Sequence, residues 1–156
     1  MKTLSEVRKY LKSIPNINYG GCGIAAYAMY IWLKKNGNKS NIKFIYLYSE
    51  SSIGSYENNS IVLSHRKYYK TYASSCSHVM IKVGNNIMDC ANERIDLSSG
   101  VYPLLSMEIQ EVHITQSIKF IKNSLSKEDQ WNCSFNRGKY LPLIEKKLGI
   151  SLDLSI

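Results

Sequence analysis

The chain has 156 residues, 44% of them hydrophobic and 21% charged, with a formal net charge of +8. That length suits one domain spanning 1–156, and the composition excludes disorder over the whole chain. No apolar run reaches the ~18 residues a membrane-spanning helix needs, so a membrane partner is not expected.

Thr3-Leu4-Ser5-Glu6 is a capping-box pattern, and Leu4, Val7, Leu11 and Ile14 recur at helical spacing. They predict a helix over 4–13 that ends at Pro15. Residues 16–21, NINYGG, read as a tight loop. Residues 22–36, CGIAAYAMYIWLKKN, predict a helix closed by Gly37 and apolar almost all round, hence deeply buried. IKFIYLY over 42–48 is a strand pattern. Residues 49–60 are rich in Ser, Asn and Gly and read as a surface loop; 61–75 carry no clear pattern. HVMIKV (78–83), GNN (84–86) and IMDC (87–90) predict a hairpin. MEIQEVHI (107–114) predicts a further strand, and 115–148 reads as mostly helical. Pro142 is expected near a helix start and Gly149 at a helix end. The order predicts an α+β fold, with an antiparallel sheet packed on a buried helix.

Charge is unevenly spread: eight Lys/Arg against one acid over 1–43, five against seven over 44–113, and seven against four over 114–156. A basic N-terminal third can meet an acidic partner or nucleic acid. Sixteen of the twenty basic residues are lysines scattered singly, with no interleaved aromatics, so a solvated helix face is favoured over a nucleic-acid site. MKTLSEVRKY lacks a signal-peptide apolar stretch, so a cytoplasmic location with reduced thiols is expected. The cysteines at 22, 76, 90 and 133 contain no CxxC pair.

Cys22 follows two glycines and opens the apolar helix. Free N–H groups and the helix dipole at that end stabilise a thiolate and can hold an oxyanion. Gly20 and Gly21 leave room for a substrate backbone. The bland reading is a small core residue near a helix start. A two-residue turn at Gly84-Asn85 or Asn85-Asn86 pairs even positions with odd ones. His78 and Asp89 then share one face of the hairpin, where the carboxylate can hold one imidazole nitrogen and leave the other for a thiol.

Thiol at a helix start, histidine on a strand, acid on the next strand: this is the chain order of papain-like and transglutaminase-like enzymes. GGCGIAAYAMYIWLKKNG (20–37) resembles the nucleophile helix of papain-like peptidases, most of all those that process bacteriocin leaders. HVMIKVGNNIMD (78–89) resembles the histidine strand, turn and aspartate strand of that superfamily. The resemblance covers about a fifth of the chain. It implies a papain-like core and a hydrolase (peptidase or amidase) or acyltransferase acting on a peptide or protein. Cys22 would be the nucleophile, His78 the general base and Asp89 its orienting acid, with no metal or organic cofactor. Many papain-like enzymes carry a glutamine a few residues before the cysteine; here only Asn16 and Asn18 can stand in as oxyanion donors.

Three alternatives accompany this reading. The same fold could serve as a binding or inhibitor protein without turnover, encoded by a phage and sequestering a host protein. A basic nucleic-acid-associated domain is the second. Third, Cys76, His78 and Cys90 could form part of a zinc site, though no fourth ligand is evident. His113 could replace His78 but lacks the following turn and acid. His65, beside Arg66 and Lys67, has no nearby acid. Trp32 and the tyrosines of its helix read as core, and the 131–137 segment as a cleft wall or a cover over the sheet.

Overall fold

A computed structural model describes residues 1–18, 20–49, 78–102, 107–128 and 135–155. Ser49, expected to open the 49–60 loop, is instead the last residue of a strand; the rest of that loop, the ambiguous stretch 61–75, His65, Cys76, Trp131 and Cys133 lie outside the described residues. The elements are α1 (Leu4–Lys12), α2 (Cys22–Lys35), β1 (Ile42–Ser49), β2 (His78–Val83), β3 (Asn86–Met88), β4 (Val101–Tyr102), β5 (Met107–Thr115), α3 (Ile118–Glu128) and α4 (Arg137–Leu148). The fold is α+β, with an antiparallel sheet in the order β3-β2-β1-β5-β4. No helix among the described residues is long and apolar enough to cross a membrane.

Local chemistry accounts for the element boundaries. The Thr3 hydroxyl accepts from the Glu6 amide at 3.2 Å and the Glu6 carboxylate accepts from the Thr3 amide at 3.3 Å. This closes both ends of the capping box; removing such a cap costs ~1 kcal/mol. α2 buries every residue from Gly23 to Met29, which its all-round apolar composition requires. α2 packs against β2, α1 and α3. β1 is buried on both faces. Phe44 and Tyr46 join the helix-side core with Val79 and Ile81, while Ile45 and Leu47 form a smaller cluster with Met80 and Ile95. A central strand covered on both sides must be a continuous apolar run, as IKFIYLY is.

The hairpin turns at Gly84-Asn85, with Ile81 opposite Met88 and Val83 opposite Asn86. Gly84 has φ +60. Asn85 stays out of the left-handed region, the φ pattern of a II′ turn with glycine first.

One expectation is corrected. Pro142 lies inside α4, six residues in, and does not mark its start. Asn136 sets the start instead, its side chain accepting from the Lys139 amide at 3.1 Å. At the proline the helix forgoes one amide hydrogen bond, the one to the carbonyl of Gly138 four residues earlier. Gly149 ends α4 with φ +64, as expected.

Gly21, the residue before α2, is held by space. A Cβ there would meet the Ile17 carbonyl oxygen at 2.8 Å and Phe135 Cγ at 2.9 Å. Gly21→Ala is expected to lower stability by ~1–3 kcal/mol, because backbone has to move to admit the methyl. Phe135→Ala added to it should recover little, since the Ile17 backbone clash remains. Urea unfolding of the single and double variants checks this; a neutral Gly21→Ala contradicts the packing described.

Candidate functional site

Cys22, His78 and Asp89 come from three separated positions. Cys22 is the first residue of α2 and is half-buried; His78 opens β2; Asp89 directly follows β3. His78 is 0% exposed and Asp89 3%. His78 Nε2 and Asp89 Oδ2 lie 2.9 Å apart. Continuing the register observed between β2 and β3 puts Asp89 opposite Met80, so His78 and Asp89 are diagonal neighbours on one face.

The carboxylate is held from several sides. Asp89 Oδ1 accepts from the backbone amides of Ala91 at 2.8 Å and Asn92 at 2.6 Å. Its own amide donates to the Asn92 carbonyl at 3.0 Å. Its carbonyl accepts from Arg8 Nε at 2.8 Å, and Arg8 also pairs with Glu93 at 3.0 Å. Arg8 is therefore a positioning residue for the 89–93 turn. It was not singled out in the sequence, but a signal existed: it lies on the same stripe as Leu4, Val7 and Leu11, where an arginine is out of place unless paired.

Electrostatics follow from these contacts. Burial alone pushes the imidazole toward its neutral form. Hydrogen bonding to Asp89 and to Cys22, with the charges of both, overrides it and raises the His78 pKa to about 9. The neighbouring Cys90 behaves oppositely to a reactive thiol. Burial, then the charges of Asp89 and Cys22, push it up to about 12. Cys90 Sγ donates to Asn18 Oδ1 at 3.4 Å.

The remaining expected residues fall as follows. Gly20 has φ +107, a conformation suited to glycine. Gly21 is the N-cap of α2, with no side-chain cap among the described residues. The first helical bond at this end runs from Ala25 N to the Gly21 carbonyl, at 2.9 Å. The amides of Cys22, Gly23 and Ile24 precede it and have no partner within the helix. Asn18 is half-buried beside Cys90, whereas Asn16 is exposed with φ +60. His113 lies on β5, two strands from β2, with its ring against Tyr46 and Phe120. Trp32 is in the core. Of the possible zinc set, Cys76 is outside the described residues, and His78 already spends Nε2 on Asp89. No group of three or more metal-ligating side chains occurs among the described residues.

Comparison with family models, with curated proteins and with solved structures finds no match.

The raised His78 pKa has a signed consequence. The folded protein keeps a proton that the unfolded chain releases near pH 6.5, so the stabilisation is full below pH 6.5 and is lost as pH rises to about 9. Unfolding free energy should fall by up to ~3 kcal/mol across that interval. Cys90 extends the fall above pH 9, because only the unfolded thiol ionises there. Asp89→Asn should flatten the part between pH 6.5 and 9; an undiminished fall assigns it to other groups. Arg8→Met leaves the Asp89 carbonyl without its guanidinium and should cost ~1–3 kcal/mol. Because Arg8 acts through Asp89, the same variant should also lower the His78 pKa seen by NMR titration. An unmoved titration would make Arg8 structural only.

Proposed function

We propose that this protein is a thiol-dependent hydrolase (peptidase or amidase) or acyltransferase with a papain-like or transglutaminase-like core. In this reading Cys22 is the nucleophile, His78 the general base and Asp89 the group that orients the imidazole. The observation that carries it is the buried His78–Asp89 pair, with Cys22 near enough to the imidazole to help raise its pKa.

Asp89 occupies Nε2 of His78, so Nδ1 is the nitrogen that takes the Cys22 proton. Cys22 Sγ then attacks the carbonyl carbon of the substrate amide, and the carbonyl π pair moves to oxygen. Free amides in the first turn of α2 hold that oxyanion. Asn18 fits the role of side-chain donor better than Asn16, since its amide oxygen is turned to Cys90 and leaves the nitrogen as donor. Collapse breaks the C–N bond, and the Nδ1 proton goes to the leaving amine. The thioester passes its acyl group to water or to an amine, which returns a proton to Nδ1 and restores the thiol. Asp89 stabilises the imidazolium in both halves. Each step is complete with the chain's own residues and a nucleophilic acceptor.

The test is alkylation of the native protein by iodoacetamide from pH 4 to 9, with each cysteine quantified by mass spectrometry. Cys22 should react at least ~100-fold faster than Cys90 at pH 7, and His78→Ala should remove most of that advantage. A Cys22 rate equal to that of the other thiols, or indifferent to residue 78, refutes the catalytic reading.

A further inference from the structure

An open groove of about 430 Å³ runs beside the Asp89 turn. One wall is the face of α1 that carries Ser5, Arg8, Lys9 and Lys12, and the other is the segment from Cys90 to Glu93. These four positions of α1 follow i, i+3, i+4, i+7 spacing, so they form one stripe. Arg8 is spent on the Asp89 carbonyl and on Glu93. Lys9 and Lys12 are exposed and have no ion-pair partner among the described residues. Asn92 lines the same groove; its side-chain nitrogen is buried and has no hydrogen-bond partner among the described residues. Cys90 also lines it, directly after Asp89 in the chain.

We propose that this groove anchors acidic side chains of a peptide substrate beside the Asp89 turn. The inference rests on the thiol-enzyme reading above and adds the substrate's charge class. Two free ammonium groups suit one or two carboxylates. A nucleic-acid strand would call for a longer basic track with aromatic faces for its bases, and no aromatic side chain among the described residues lines the groove. Glu93, already paired with Arg8, adds negative charge at one end and directs incoming carboxylates toward the Lys9–Lys12 end.

The test is fluorescence anisotropy with a fluorescein-labelled hexaglutamate peptide and its hexaglutamine counterpart. The proteins are the wild type and Lys9→Glu/Lys12→Glu, whose changes are on the exposed face of α1. The glutamate peptide should bind at least ~10-fold tighter than the glutamine peptide, and the double variant should lose ~10-fold or more. Equal binding of the two peptides, or unchanged binding by the double variant, overturns the proposal. So does a single-stranded oligonucleotide that displaces the labelled peptide ~10-fold more effectively than unlabelled hexaglutamate; that result would assign the groove to nucleic acid. The two readouts fail separately. Slow Cys22 alkylation with glutamate-specific binding intact refutes the thiol chemistry and leaves the groove supported as an acidic-peptide site.

Discussion

The Asp89 carboxylate is the group on which the geometry of the site depends. It is buried, and a buried carboxylate is tolerated only when its oxygens are answered by donors. One oxygen takes the amides of Ala91 and Asn92, which bends the chain into a tight turn just after β3. The other takes His78 Nε2, which fixes the ring of a residue on the neighbouring strand at the open end of the hairpin. The same carboxylate thus shapes the turn, orients the imidazole and, with Cys22, offsets burial in setting its protonation. Replacing it removes all three effects at once, because the turn, the ring and the charge share one group.

The second constraint is at the other side of the imidazole. α2 is buried along its first two turns, so its start cannot shift without repacking the core. Gly21 is pressed between Ile17 and Phe135, which sets where the helix begins. Cys22 is therefore placed by packing and His78 by polar contacts, on two elements that lie against each other. A half-buried thiol at a rigid helix start and a locked imidazole leave little adjustable geometry between them. Such rigidity is useful where a proton must pass over a short distance, and it costs the chain any small side chain at position 21.

Much of this was legible in the sequence because it is local. The capping box at Thr3, the apolar run of α2 and the strand IKFIYLY each declare their element through spacing alone. The hairpin register followed from parity: a two-residue turn puts His78 and Asp89 on one face whichever pair turns, and Gly84-Asn85 proved to be the pair. Pro142 falls inside α4 rather than at its start because Asn136 supplies the cap, a local side-chain bond that the proline does not signal. Arg8 was missed for a different reason. Its partners lie 81 and 85 positions away, and no periodicity reveals a contact of that span; only its presence within an apolar stripe hinted at it.

α1 shows how a short surface element can act on a buried site in two ways. Its inward face carries Arg8, whose guanidinium is buried against the Asp89 turn and pairs with the exposed Glu93. That placement keeps the cation from simply raising the local positive potential, because much of its charge is answered on the spot. Its outward face carries Lys9 and Lys12 in the last turn, where they also complement the helix dipole. These two are unpaired among the described residues, so they set the sign of the field at the groove. The helix therefore separates holding the carboxylate turn in place from attracting an anion beside it. Arginine suits the first task, because its planar fork reaches a carbonyl and a carboxylate together. Lysine suits the second, because a mobile, hydrated ammonium can follow a carboxylate whose position varies from one peptide to another. A lysine at position 8 would lose the second contact, and arginines at 9 and 12 would hold an anion in a narrower range of poses.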